Sequence, residues 1–253
     1  MGPGPGGRVV RLDLAYDGTE FRGWARQRGV RTVHGVLTEA LTKLLGSEPK
    51  LSVAGRTDAG VHAEGQVASF RASGADVDLD RIQLALNRML GPEVAVRRVR
   101  WATDGFDARF SAMGREYRYR IETSEVPDPF TARHVWQRPG LLVLEPMRRA
   151  ARGLVGEHDF ASFCRSPKPP AGTIRHLRRL SISVVGTRWE IRAEANAFLH
   201  QMVRSLVGTL VAAGEGRIDP GSIPRVLAGG DRAAAGHIAP PHGLALVRVR
   251  YGR

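Results

Sequence analysis

The segment best suited to chemistry is a short polar stretch around Asp58. Gly55 and Gly60 bracket this single carboxylate, and apolar residues precede and follow the stretch. Because glycine adopts positive φ and lets a ligand approach the main chain, the pattern predicts a tight turn that presents Asp58 at its tip. A carboxylate in that position could act as a nucleophile or as a general acid or base. An ordinary Asp-Ala-Gly turn, in which the aspartate caps the backbone, is an open alternative.

Arg56 precedes Asp58 by two residues and has the same strand parity. If extended geometry lasts that far, both side chains lie on one face, and the guanidinium could keep the carboxylate ionised. The sequence contains no Gly-x-Gly-x-x-Gly motif, no P-loop, no Gly-x-Ser-x-Gly elbow and no ligand spacing among its eight histidines. We therefore expect chemistry from one glycine-framed carboxylate, with no cofactor and no metal.

The composition favours a partner that carries negative charge. The formal net charge is +13, and all but three of the 38 basic residues are arginine. Such a surplus is typical of proteins that bind a polyanion, and arginine suits bidentate phosphate contacts. No apolar run approaches the roughly 20 residues of a membrane helix. The single cysteine, Cys164, excludes an internal disulfide, so we expect a reducing, cytoplasmic setting.

The apolar pattern alternates between strand and helix periods. Thr32 and Gly46 frame a predicted helix over 33–44, and further helices are predicted over 78–90, 147–153 and 198–211. Strands are predicted at 10–16, 51–54, 66–71, 94–99, 117–121, 180–184, 189–195 and 244–251. Since there is no regular strand–helix–strand rhythm and several strands are close in sequence, we expect an α+β fold. Its sheet should be mixed but mostly antiparallel, with helices flanking it.

A change in composition near residues 103–108 predicts a division into two halves. We expect a flexible tail at 1–7, an N-terminal half at 8–105 that carries the Asp58 turn, and a C-terminal half at 106–253. The basic segment 21–28 contains Phe21 and Trp24, and two interpretations stay open for it. It could be an RNA-contacting surface, or a loop whose two aromatic residues cover the core. The Pro-rich segment 165–172 is predicted to be a mobile loop.

Seven stretches together resemble the TruA family of tRNA pseudouridine synthases, and they occur in the family's order. They are 16–24, 32–37, 55–63, 115–119, 158–160, 198–204 and 236–243. The resemblance implies a pseudouridine synthase fold with two similar α+β halves around a basic active-site cleft. It also implies a cofactor-free homodimer that converts uridine to pseudouridine at positions 38, 39 and 40 of the tRNA anticodon stem-loop.

The resemblance further implies roles for six residues. Catalytic roles fall on Asp58 and on Arg204, which would pair with the carboxylate, and a base-stacking role falls on Tyr117. Substrate-binding roles are expected for Arg56, Arg22 and His62.

Two other functions compete with this one. A non-catalytic RNA-binding protein could keep the same fold, although a glycine-framed carboxylate would repel phosphate. A basic glycosidase or nuclease would need a second carboxylate, such as Asp17 or Glu64, or a metal.

Overall fold

The computed structural model describes residues 7–72, 77–165 and 172–252. The predicted tail lies outside these residues except for Gly7, and so does most of the predicted loop 165–172. The strands are β1 (Arg8–Tyr16), β2 (Ser52–Val53), β3 (His62–Ala72), β4 (Val94–Trp101), β5 (Ala112–Glu122), β6 (Trp136–Gln137), β7 (Gly156–Asp159), β8 (Ile174–Val185), β9 (Arg188–Ala195) and β10 (Leu244–Tyr251). The α-helices are α1 (Val33–Leu45), α2 (Leu79–Leu90), α3 (Leu144–Leu154), α4 (Met202–Gly214) and α5 (Ile223–Gly229).

The chain divides into two compact units. The first consists of Met1–Met113 with Leu246–Arg253, and the second of Gly114–Ala245. The division into halves at 8–105 and 106–253, which the sequence predicts, stays a prediction. Both units combine strands with helices, and antiparallel pairs predominate, so the predicted α+β class with a mostly antiparallel sheet is confirmed.

In the first unit the strand order is β4-β1-β3-β10, and β2 pairs with β3. Alternate residues of β1 enter the core, and Val10, Leu12 and Leu14 are fully buried, as the sequence alternation predicts. The caps of α1 are also confirmed: the Thr32 hydroxyl accepts from the Gly35 N–H, and Gly46 ends the helix in the left-handed region at φ 74°. Strand β3 begins at His62, four residues before its predicted start at 66. The polar residues at its beginning do not show the apolar pattern from which strands were predicted.

In the second unit the strand order is β5-β9-β8-β7, and β6 pairs with β5 in parallel. Helix α4 departs from its prediction. It begins at Met202 because Gln201 has a left-handed φ of 61°, which breaks the helical run. The sequence predicts one apolar face for this helix, whereas every residue of α4 except Arg204 is buried.

The two faces of β5 differ as the sequence indicates, with one correction. Tyr117, Tyr119 and Ile121 are buried on one face. The alternation of Arg118 and Arg120 in the sequence predicts a cationic opposite face, but these two residues lie 3.6 and 3.8 Å from Glu190 on the neighbouring strand β9. Cross-strand pairing therefore makes this an ion-paired face, which the sequence of β5 alone could not reveal.

Candidate active site

Asp58 lies in the loop that joins β2 to β3. The Val61 N–H donates to the Asp58 carbonyl oxygen at 3.1 Å, which closes a tight turn, and Gly60 occupies the left-handed region at φ 75°. Asp58 is half-buried at this turn, between buried Thr57 and exposed Ala59. The glycine that the sequence singled out is therefore required by the backbone conformation of the turn.

A second loop, between β1 and α1, is hydrogen-bonded to the Asp58 turn. The Gly60 N–H donates to the Phe21 carbonyl oxygen at 3.2 Å, and the Trp24 N–H donates to the Thr57 carbonyl oxygen at 3.0 Å. Gly23 stands between these two bonds at φ 90°. A Cβ atom there would lie 2.8 Å from the Thr57 oxygen and 3.1 Å from the Ala59 nitrogen. The backbone of this second loop thus supports the turn from one side.

The structure resolves the two interpretations of segment 21–28. Phe21 and Trp24 are only 2% and 1% exposed, so both aromatic residues cover the core. Arg22, Arg26 and Arg28 are exposed. The two buried aromatic rings anchor the loop to the core. Its arginine side chains are exposed to solvent, where they can contact a polyanion.

A buried polar network, which the sequence analysis missed, supports the turn from within the sheet. The Tyr16 hydroxyl lies 2.8 Å from the Thr57 hydroxyl, and the Gln66 amide donates to the Tyr16 oxygen at 3.2 Å and to the Gly55 carbonyl at 2.7 Å. Burial raises the pKa of Tyr16 to about 12, and its two hydrogen bonds act weakly in the opposite direction. The available signal was Gln66, a polar amide directly before the apolar residues Val67 and Ala68 of a predicted strand.

His62 and Asp17 lie beside one another just behind the turn. The Gly18 N–H donates to His62 Nδ1 at 3.0 Å, and Asp17 Oδ1 accepts from the Thr19 N–H at 2.9 Å. His62 Nδ1 and Asp17 Oδ1 are 3.1 Å apart. These residue types can bind a metal, but here each one already holds the backbone of the 17–19 turn. His62 is buried, so its predicted contact with substrate stays a prediction.

Arg56 is exposed, and no strand reaches it to support the parity argument that links it to Asp58. That argument needs extended geometry up to residue 58, whereas β2 ends at Val53 and the following residues have no regular structure. The β2 strand is short because the backbone must bend here to form the turn.

Tyr117 and Arg204, the other predicted functional residues, belong to the second unit. Tyr117 is 7% exposed and meets the Phe198 ring edge to face, with the ring centroids 5.1 Å apart. Arg204 is half-buried on α4, and its Nε donates to the Ala239 carbonyl at 2.7 Å. The Ala239 N–H donates in return to the Arg204 carbonyl at 3.1 Å. The guanidinium is therefore fixed by its own helix and by the 236–239 segment.

Two glycines allow that segment to pack on α4. A Cβ atom at Gly208 would lie 1.6 Å from the His237 carbonyl oxygen, and one at Gly236 would lie 2.7 Å from the backbone of Gly208. The Gly236 N–H donates to the Thr209 hydroxyl at 2.9 Å. This backbone-to-backbone contact covers the Gly208 face of α4, and the same segment holds Arg204 one turn earlier.

Arg204 also acts electrostatically on its neighbours. Burial raises the pKa of the Tyr119 hydroxyl, and the charge of Arg204 opposes that shift. Burial lowers the pKa of His242, and the same guanidinium lowers it further, while a backbone hydrogen bond at Val135 raises it. The Arg204 guanidinium therefore lies close enough to Tyr119 and His242 to affect the ionisation of both.

These features define a class of protein: an α+β fold, a basic surface and one carboxylate on a rigid turn, suited to nucleophilic or acid–base chemistry on a polyanion. Comparison with known proteins gives the particular family. The family model for tRNA pseudouridine synthase matches residues 150–252. Similar curated proteins are named tRNA pseudouridine synthase A and cover the chain almost end to end.

Three of these relatives illustrate the similarity. The protein from Geotalea daltonii is 41% identical over 96% of this chain and 100% of its own length. Those from Corynebacterium glutamicum and Frankia casuarinae are 44% and 46% identical, each over 96% of this chain and 89% of their own length. The chain therefore belongs to the tRNA pseudouridine synthase family. Across the described residues, no helix is both long enough and apolar enough to span a membrane.

Proposed function

We propose that this protein converts uridine to pseudouridine on the 3′ side of the anticodon stem-loop of tRNA, at positions 38 to 40. Family membership supports this activity, since the similarity extends over nearly the whole chain. The observation that carries the proposal is the Asp58 turn, where a half-buried carboxylate is held by the 21–24 loop. A protein that only bound RNA would gain nothing from such a rigidly placed negative charge.

The chemistry requires one carboxylate and no other reactant. The N1–C1′ bond breaks, the uracil turns within the pocket, C5 bonds to C1′, and the proton lost from C5 ends on N1. In one route Asp58 bonds to C1′ as N1 leaves and is released when C5 attacks. In the other, Asp58 takes the C2′ proton and returns it when the new bond forms. Both routes regenerate the carboxylate.

Tyr117 and Arg204 complete the proposed site. The target base must leave its stack at a cost of a few kcal/mol, and stacking on an aromatic ring such as Tyr117 returns about 1–3 kcal/mol. Arg204 would pair with the Asp58 carboxylate, a role supported by its fixed guanidinium on an otherwise buried helix. The exposed Arg22 and Arg56 would contact phosphates, and His62 would contact substrate next to the turn that it holds.

We further propose that the protein is a cytoplasmic homodimer. One tRNA is large compared with a chain of 253 residues, and two basic chains would offer it a longer surface. Because phosphate contacts release counterions, tRNA affinity should fall steeply between 50 and 200 mM salt, by a factor of about 10³ for six contacts. A salt-independent affinity, or a monomer in sedimentation at working concentration, would contradict this part of the proposal.

The decisive experiment measures pseudouridine formation on an unmodified tRNA transcript, with and without EDTA, by the wild type and by Asp58→Asn. We expect product from the wild type in both conditions and none from the variant, which should still bind the tRNA. Wild-type protein that binds tRNA but forms no pseudouridine would favour the RNA-binding alternative. Loss of product in EDTA would favour a metal-dependent reaction.

Arg204 can be tested separately by kinetics. Arg204→Ala should reduce kcat more than it reduces tRNA affinity, because the guanidinium acts on the carboxylate and not on the RNA as a whole. Arg22→Ala is the matched control, since it removes an exposed arginine expected to act through affinity alone. An Arg204→Ala variant with unchanged kcat and weaker binding would refute the proposed role.

A further inference from the structure

Phe110 is an aromatic side chain that the proposed mechanism does not use. It lies in the connection between β4 and β5 in the first unit and is 81% exposed. The neighbouring Arg109 is exposed too, and its guanidinium carbon lies 5.3 Å from the centre of the Phe110 ring. An apolar ring and a cation are thus presented to solvent side by side.

The backbone beneath these two side chains is fixed by hydrogen bonds. Asp107 Oδ1 accepts from the backbone N–H groups of Arg109 and Phe110 at 2.8 and 2.9 Å. The same oxygen accepts from the Ser52 hydroxyl at 2.9 Å, so the turn is tied to β2. Desolvation alone would raise the pKa of Asp107. The hydrogen bonds from Phe110, Ser52 and Arg109, together with the charge of Arg109, outweigh it and hold the pKa below its usual value.

Two more bonds attach the turn to distant strands. The Ala108 N–H donates to the Ser69 hydroxyl of β3 at 2.9 Å, and the Tyr251 hydroxyl of β10 donates to the Ala108 carbonyl at 2.7 Å. The sequence separations are 39 and 143 residues, so β3 and β10 both orient the turn. Phe130 provides a contrast: it is 93% exposed, and its backbone N–H donates to Asp128, only two residues away.

A single exposed aromatic residue is common on protein surfaces and carries no function by itself. Here five hydrogen bonds fix the turn 107–110, and the exposed ring stands next to a guanidinium. Unpaired bases in RNA are recognised by stacking on aromatic rings and on arginine planes, next to contacts with phosphate. The geometry of this turn therefore fits a nucleotide.

We propose that Phe110 is a stacking platform for an unpaired base of the tRNA and that Arg109 contacts the adjoining phosphate. This inference rests on the proposed function, because it assumes a tRNA substrate. A second copy of the chain is the other candidate occupant. The exposed guanidinium of Arg109 beside the ring favours RNA at this position, because it can contact a phosphate.

The test measures tRNA affinity by fluorescence anisotropy, pseudouridine formation, and sedimentation for four variants. Phe110→Trp keeps an aromatic face, Phe110→Leu keeps only apolar surface, Phe110→Ala removes both, and Phe130→Ala is the matched exposed control. We expect Kd to rise about tenfold for Phe110→Leu and Phe110→Ala, consistent with the loss of one stacked base. Phe110→Trp and Phe130→Ala should bind like the wild type, and sedimentation should not change.

Each result has a distinct meaning. If Phe110→Leu binds tRNA as tightly as the wild type, stacking is refuted. If Phe110→Ala changes the sedimentation coefficient of the free protein, the ring is a contact between copies, and the inference is wrong. If the wild type itself forms no pseudouridine, the proposed function fails, independently of how the Phe110 variants rank in tRNA binding.

Discussion

Gly23→Ala tests whether the 21–24 loop positions the proposed catalytic turn. The added methyl group would stand 2.8 Å from the Thr57 oxygen and 3.1 Å from the carbonyl carbon of Asp58 itself. Ordinary contact begins near 3.4 Å, so the turn must move by roughly 0.6 Å, a displacement that matters because misplacement of about 1 Å can cost 10²-fold in rate. The φ of 90° adds backbone strain of about 1–2 kcal/mol.

Gly29→Ala is the matched control. Gly29 has a similar positive φ of 76° and lies in the same loop, but a Cβ atom there would meet nothing within 4 Å. The Gly29→Ala variant therefore measures the free-energy cost of a side chain at positive φ, without a steric clash. We expect Gly29→Ala to lower the free energy of unfolding by about 1–2 kcal/mol and to leave kcat unchanged.

The assay combines thermal unfolding with single-turnover pseudouridine formation and tRNA binding. Gly23→Ala should lose about 2–4 kcal/mol of stability, from strain plus the displaced turn, and its rate should fall at least tenfold while Kd stays within twofold. The reasoning is refuted if Gly23→Ala matches Gly29→Ala in both stability and rate. A loss confined to tRNA affinity would instead make the loop an RNA-binding element.

Three further predictions concern packing and ionisation. Gly208→Ala would place a methyl group 1.6 Å from the His237 oxygen, so we expect thermal unfolding to show a free energy of unfolding lower by more than about 3 kcal/mol. Gly229→Ala has open space around the added methyl group and should leave the free energy of unfolding nearly unchanged. Tyr16→Phe should lower the free energy of unfolding by about 1–3 kcal/mol because it removes the hydroxyl that is hydrogen-bonded to Thr57 and Gln66. The pKa of Tyr16 in the folded protein is about 12, above the ordinary value near 10. Its contribution to the free energy of unfolding is therefore complete below pH 10 and is lost as the pH rises towards 12. Denaturant titrations at pH 9 to 12 should show a shallower alkaline decline in the Phe variant than in the wild type. The pKa of Asp107 is lowered in the folded state, so its contribution is present above about pH 4 and is lost as the pH falls through the folded value. Asp107→Asn should therefore flatten the acid limb of the stability curve, and an unchanged limb would contradict the role of the 107 turn.

The elements that the sequence predicted correctly are those decided by nearby residues. Thr32 and Gly46 cap α1 because capping is a contact over three or four residues. The burial alternation of β1 and the Gly60 turn next to Asp58 were predictable for the same reason. Charge pairing across strands was not predictable from nearby residues, since the partner of Arg118 lies 72 positions away at Glu190.

For the candidate site, the sequence determined which groups exist: one glycine-framed carboxylate at Asp58, an arginine on a long apolar helix, and a surplus of positive charge. Only the tertiary structure decided how they are held. It buried Phe21 and Trp24 while leaving Arg22 outside, placed Gly23 against the Asp58 turn, and packed a backbone segment on α4 beside Arg204. These outcomes depend on close contacts between segments more than 30 residues apart, and hydrophobic periodicity carries no information about such contacts.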